Sequence, residues 1–339
     1  KELDPSFFDY NTWMGISDRI REKISRIVGC DADNITHSTS TSDVINTIAH
    51  GYNFNDGDVV AAIDKDYPSN VLPWMRHVEK NPTIKFDLLE LDQDVPTVDW
   101  LEKNLSPNTK IFNMSWVTFD TGKKMDILSI GKYCQEKDIL FVVDATQALG
   151  GLAISKEELA VVDVLACSSY KWILGPYGHA FAYFSDKALQ RIDASTGNWI
   201  VSPNSKVVYN LLDYTTDTLP GARKFDRGQA ANPLAMACLE AALEFLDKVG
   251  LETIQEHNLK VRNYFLENYP KEKYDVVTPL EYMGNIVCLK GKGLDPVELE
   301  RELKHHNVDV SVRQGNVRLS FHIFNDESQV DTLIRALDI

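Results

Sequence analysis

Along the first two-thirds of the chain, short apolar runs alternate with amphipathic stretches, and this alternation restricts the fold more than any other feature. The runs cover residues 59–63, 84–89, 111–114, 139–143, 162–167 and 180–184. Most are bounded by polar or turn residues and have the length of a buried strand. Between several of them lie segments of helical spacing, such as residues 127–136; ahead of them residues 15–28 (GISDRIREKISRIV) repeat apolar positions until Gly29 stops them. Residues 43–50 form a further helical segment, preceded by the hydroxyl-rich HSTSTS. Strand, helix, strand in this repetition predicts an α/β fold with a mainly parallel sheet covered by helices on both faces.

From Pro233 the pattern changes. Residues 234–249 and 251–269 read as long helices, followed by strands over 274–277, 285–289, 308–312 and 317–322 and helices over 296–305 and 328–337. The expected organisation is an N-terminal segment (1–14), a large domain (15–232) and a smaller α+β domain (233–339). Length agrees, since 339 residues suit about two domains at roughly 100–200 residues each.

Charge narrows the partners. The formal net charge is −15, which argues against nucleic acid or an anionic membrane as the main partner. No apolar run approaches the roughly 20 residues that cross a bilayer. The five cysteines (Cys30, Cys134, Cys167, Cys238, Cys288) are odd in number and widely spaced, as expected of reduced thiols in a cytoplasmic protein, and none has zinc-ligand or CxxC spacing. The eight histidines contain no HExxH, and no metal site is expected. The opening KELDPSFFDY is neither a signal peptide nor an initiator methionine, so the expected start lies further upstream.

In open α/β sheets, ligands bind beyond the carboxyl ends of the strands, and three polar clusters fall at such places. Asp144 ends the run ILFVV and is followed by Gln147. Ser168, Ser169, Tyr170 and Lys171 follow DVLAC. The third cluster runs from Ser38 to Asp43 (STSTSD) at a helix start. Each has an ordinary structural role available: a turn or cap for the aspartate, solvent for the lysine, capping for the hydroxyls. The setting of Lys171 between hydroxyl residues and WILGPYG is too apolar for a solvent-facing lysine. Together the clusters suit pyridoxal 5′-phosphate (PLP). A desolvated lysine serves as nucleophile and base. A carboxylate keeps the pyridine nitrogen protonated so that the ring can take electrons from Cα. Hydroxyls and free N–H groups at a helix N-terminus hold a phosphate.

The spacing of Asp144-x-x-Gln147, SSYK ending at Lys171, and GPYG resembles the class V aminotransferase family of fold-type I PLP enzymes. That family includes cysteine desulfurases, selenocysteine lyases, isopenicillin N epimerase-like proteins and kynureninases. The resemblance runs through STSTSDVIN (38–46), YPSNVLPW (67–74), FDRGQAAN (225–232) and VRLSFHIFN (317–325). It implies a seven-stranded-type sheet in the large domain and a PLP Schiff base on Lys171, which also shuttles the Cα proton of an amino-acid substrate. By the same likeness Asp144 pairs with the pyridinium nitrogen and Gln147 reaches the ring oxygen. Thr41, Ser42, Ser168 and Tyr170 hold the phosphate, Tyr67 stacks on the ring, and Arg318 grips the substrate carboxylate. Gly228 and Gln229 would reach the phosphate of a neighbouring subunit, which implies a homodimer with shared sites. A short substrate-side segment is implied ahead of residue 1.

Three departures stand out. The desulfurases' cysteine loop upstream of the arginine is missing, because residues 307–317 (NVDVSVRQGNV) are short and contain no cysteine. Phe119 stands where the family has an asparagine beside the cofactor oxygen, and Gln229 replaces a phosphate-binding threonine. Transamination is the first functional expectation. The alternatives are C–S or C–Se elimination without a catalytic cysteine, racemisation or epimerisation, and, in a different class, a non-catalytic binding or regulatory subunit. The last is opposed by retention of both Asp144 and Lys171. A nicotinamide enzyme is disfavoured because no GxGxxG joins a strand to a helix.

Overall fold

Alternate residues of a strand point to opposite faces, so a run that is apolar at every position must be covered on both sides. The run LFVVD behaves in this way: Phe141 and Val143 enter one core, while Leu140 and Val142 enter another. In the computed structural model, which describes residues 10–206, 212–227 and 233–338, it lies near the middle of a seven-stranded sheet.

The strands are β1 (Ile35–Ser38), β2 (Val59–Ile63), β3 (Lys85–Leu89), β4 (Thr109–Ser115), β5 (Leu140–Asp144), β6 (Val164–Ser168) and β7 (Ala180–Phe184). Their order is β1-β7-β6-β5-β4-β2-β3. Strands β3, β2, β4, β5 and β6 are mutually parallel; β7 runs antiparallel to both β6 and β1. The expected parallel sheet is therefore present, with an antiparallel margin. Strand β1 was not among the expected strands. Its sequence, ITHS, is short and polar, yet all four residues are buried against β7.

Helices α1 (Tyr10–Val28), α2 (Thr41–Gly51), α3 (Leu72–Lys80), α4 (Val98–Asn104), α5 (Ile127–Glu136), α6 (Lys156–Leu159) and α7 (Asp186–Arg191) accompany the sheet. One face takes Ile20 and Ile24 of α1 and Ile127 and Ile130 of α5; the other takes Ile45 and Ile48 of α2 and Trp74 of α3. Each such side chain contributes about 1.5–3 kcal/mol when fully buried. Helix α8 (Pro233–Val249) lies along α1 and sends Met236, Leu239 and Leu243 into the first of these cores.

A four-stranded antiparallel sheet follows, built from β8 (Tyr274–Val276), β9 (Ile286–Gly291), β10 (Ser311–Arg313) and β11 (Asn316–Ser320) in the order β10-β11-β9-β8. Helices α9 (Leu251–Asn268), α10 (Pro296–His305) and α11 (Glu327–Leu337) pack around it, with Phe265, Leu289, Leu303, Val317, Leu319 and Leu333 in its core. Strand β10 begins later than the expected start at 308, because Val308 and Val310 pack on this core without joining the ladder. Its turn to β11 uses Gln314 (φ 47°) and Gly315 (φ 77°), the paired left-handed residues of a two-residue hairpin. Among the described residues no helix is long and apolar enough to cross a membrane.

Candidate active site

Ladder register brings the carboxyl ends of the central strands level, pairing Ser115 with Asp144 and Asp144 with Ala166. Asp144, the last residue of β5, and Lys171, three residues beyond β6, line one cavity of about 190 Å³. The turn after Gln147 allows this approach. At Gly151 a Cβ would lie 2.3 Å from the Trp172 ring, so only glycine lets the turn pack against the Lys171 segment.

Burial pushes the Asp144 carboxyl up from its ordinary range; hydrogen bonds from Thr146 and the charge of Lys171 oppose that rise. One of these bonds runs from the Thr146 amide to Oδ1 at 2.9 Å. Lys171 is pushed down to about 8, chiefly by burial, with Arg318 acting in the same direction and Asp144 against it. The two groups thus shift toward one another: an amine easier to deprotonate beside a carboxylate harder to ionise. The Tyr67 and Tyr170 rings flank the Lys171 amine, with centroids 5.4 and 5.6 Å away.

The opposite end of the cavity is a hydroxyl cradle at the N-terminus of α2. Ser40 caps the helix by accepting from the Asp43 amide at 3.1 Å. Thr41 Oγ1 lies 3.0 Å from Thr146 Oγ1 and 2.9 Å from Ser168 Oγ. Ser42 Oγ lies 2.7 Å from Ser69 Oγ. Hydroxyls gathered at a helix N-terminus suit an anion such as phosphate. Thr146 and Ser69 line this cavity without having been singled out from sequence; the i+2 position of Thr146 after Asp144 was the available signal.

A buried polar network, also missed from sequence, backs the site. Asp66 accepts from the Ser115 amide at 2.7 Å and the Ser115 hydroxyl at 2.6 Å. Asn70 donates to Asp66 at 3.2 Å and to Ser115 at 3.0 Å. Its side chain also draws the Asp144 carboxyl downward. Asn113 joins Asn70 to the indole of Trp74, which donates to Asn113 at 2.9 Å. Such networks hold a site in one geometry when their members are satisfied.

Outward, an adjoining cavity of about 520 Å³ shares Tyr67, Phe119, Gln147, Tyr170 and Lys171 with the first. Its far wall is the β10–β11 hairpin. Arg318 of β11 donates to the Phe119 carbonyl at 2.8 Å. With the Gln147 amide turned so that its oxygen faces the cations, that oxygen accepts from Lys171 Nζ at 3.0 Å and Arg318 Nη1 at 3.1 Å. One side chain therefore spans the amine and the guanidinium. Phe119 packs edge-on against Tyr67, with centroids 5.2 Å apart, so this position presents an aromatic ring and a backbone carbonyl where the resemblance expects an amide. His322 bridges to the Trp172 carbonyl at 2.9 Å through Nε2, while Nδ1 accepts from the Ile323 amide at 2.7 Å. Those roles require the neutral ring, consistent with burial pushing its pKa down.

Of the residues expected from sequence, the inner cavity brings together Thr41, Ser42, Tyr67, Asp144, Gln147, Ser168, Tyr170 and Lys171. Arg318 lines the outer one. Gly228 and Gln229, and with them the expected contact between subunits, lie outside the described residues. Among the described residues no cysteine lines either cavity. Cys288 is buried, bonds to the Asp120 carbonyl and is pushed up to about 12 by burial. A half-buried amine, a buried carboxylate and a hydroxyl-lined helix N-terminus around one cavity form the donor set that a phosphorylated pyridine aldehyde requires.

A family model described as Aminotransferase class-V matches residues 11–333. A protein named probable cysteine desulfurase from Methanothermobacter thermautotrophicus is 23% identical over 338 residues, covering 94% of this chain and 82% of that protein. A probable cysteine desulfurase from Pyrococcus abyssi is 24% identical, with 94% and 81% covered. Among solved structures, the apo cysteine desulfurase of Thermococcus onnurineus NA1 superposes with a TM-score of 0.84 at 22% identity, covering 97% of this chain and 84% of that one. The cystine C–S lyase C-DES, solved with its reaction product cysteine persulfide, superposes with a TM-score of 0.87 at 17% identity, covering 97% and 88%. At these identities the structural likeness speaks for the fold.

Proposed function

The chain belongs to the class-V aminotransferase family, and from that premise we propose a PLP-dependent lyase that removes the Cα proton of an amino acid and expels a substituent from Cβ. The observation that carries this reading is the convergence of Lys171, Asp144 and Arg318 on two adjoining cavities, spanned by Gln147.

When bound, PLP supplies an electron sink for the pair left on Cα as its proton departs. Lys171 would hold the cofactor's aldehyde carbon, Asp144 its ring nitrogen, and Thr41, Ser42, Ser168 and Tyr170 its phosphate. The lowered pKa of Lys171 keeps a useful share of the amine neutral near pH 8, so it can take the Cα proton. Arg318 presents a guanidinium fork to the substrate carboxylate, and its bond to the Phe119 carbonyl fixes the direction of that fork. Tyr67 and Tyr170 close the sides of the cavity around the amine. Substrate orientation and proton removal are thus performed by neighbouring groups, the condition for an effective near-attack arrangement.

Elimination is preferred over transamination because relatives carry the name cysteine desulfurase and a structural neighbour is a cystine C–S lyase. Among the described residues no thiol faces the cavities in a position to accept sulfur. The expected sulfur product is released, alongside a 2-oxo acid and ammonia. Incubation of the PLP-loaded protein with cystine should release pyruvate while the cofactor's absorption persists. Incubation with alanine should leave that absorption unchanged. Conversion to the pyridoxamine form by alanine, without pyruvate from cystine, would overturn the lyase reading in favour of transamination.

A further inference from the structure

The hairpin that forms the outer wall carries two arginines on one face. Cross-strand register pairs Ser311 with Arg318 and Arg313 with Asn316. Strand alternation then places Ser311, Arg313, Arg318 and Ser320 on the cavity side. Val317 and Leu319 of the same hairpin point into the small core. The two-residue turn at Gln314 and Gly315 keeps the hairpin short, so the Arg313 side chain stands at the cavity mouth.

Two arginines in diagonal positions, about 7–8 Å apart at most between Cβ atoms, repel each other unless an anion lies between them. Among the described residues neither takes part in an ion pair. Arg313 donates to the carbonyl of its neighbour Val312 at 2.7 Å. Arg318 is held by carbonyl oxygens through Nη1, and its buried Nε has no partner. The outer cavity also receives the Lys171 amine, while no Asp or Glu lines it among the described residues. With the Lys171 amine engaged by the cofactor, the two guanidinium groups still carry one more charge than a single substrate carboxylate neutralises.

We propose that Arg313 is a specificity residue, and that the substrate is an amino acid whose side chain ends in a second anionic group, a carboxylate or sulfinate. Arg318 takes the α-carboxylate and Arg313 the side-chain anion. The proposal rests on the reading of Arg318 given under Proposed function.

Calorimetric titration of the PLP-loaded protein with succinate and with butyrate tests it directly. The two ligands have the same carbon count and differ in one terminal carboxylate. Succinate should bind about 10–100-fold more tightly, as expected for one additional charge-assisted contact. Arg313→Gln should bring the ratio close to one, and Arg313→Lys should restore part of it. The Lys variant retains the charge and so separates lost recognition from lost folding. Equal affinities in the parent protein, with both lost in Arg318→Ala, would overturn the role of Arg313 and leave the Arg318 reading intact. Failure of both acids to bind the parent protein would overturn both.

Discussion

The floor of the cavity, at the ends of β5 and β6, and its outer wall, on the β10–β11 hairpin, present charged side chains to the same space but support them differently. Asp144 is only 4% exposed and is enclosed by Thr146, Asn70 and the network around Asp66. Arg318 and Arg313 stand on a four-stranded sheet with one face to a small core and the other to the cavity. Burial at the floor shifts proton affinities, which suits chemistry common to many substrates. Openness at the wall leaves room for different side chains, which suits selection among them. On the wall itself, Arg318 is among the residues the family resemblance implies, whereas Arg313 is not.

The comparison can be broken most sharply at the floor. Lys171→Ala should abolish the borohydride-fixed link to PLP and lower turnover by about 10⁴-fold, the upper range for a positioned proton carrier; mass spectrometry after reduction reads the first and product formation the second. If covalent attachment survived at another lysine, the floor would not be where the chemistry occurs. Asp144→Ala should reduce turnover by about 10²–10³-fold, as for removal of one preorganised electrostatic partner. Its cofactor content, read by absorbance, should fall far less. Near-normal turnover in that variant would remove the carboxylate from the mechanism.

The smallest effect is one of pH. Only the neutral amine attacks the cofactor's aldehyde, so uptake of PLP by the cofactor-free protein should rise about tenfold per pH unit and level off above about 8. An exposed lysine would carry the rise on toward about 10.4. Stopped-flow absorbance across pH 6–11 decides between them, and a plateau near the higher value would mean that the floor does not desolvate Lys171.

Much of the fold was legible because its strongest signal is local. Residues 59–63 and 180–184 were read with the bounds observed for β2 and β7, as continuous apolar runs that need cover on two faces. The four residues of β1 escaped because their polar side chains are paid for by partners distant in sequence, as where Thr36 Oγ1 bonds Asp226 at 2.8 Å. The site was legible in the same unequal way. Asp144, Lys171 and the hydroxyls near Thr41 sit in short segments at strand and helix ends, and it is their combination, with the family resemblance, that distinguishes them. Asp66, Asn70 and Asn113 carry no such pattern, since a polar residue in a strand or turn is ordinary until its neighbours are known.

What the linear chain determined by itself is the alternating architecture and the kinds of group at the strand ends, because periodicity and local residue choice act over a few positions. Only tertiary structure decided that Gln147 would span Lys171 and Arg318, which lie 147 positions apart (318 − 171). It also turned Arg313 toward the cavity and drew the Lys171 pKa down. Proton affinity and charge balance depend on what surrounds a group in space, and that surrounding is assembled from segments that no local pattern connects.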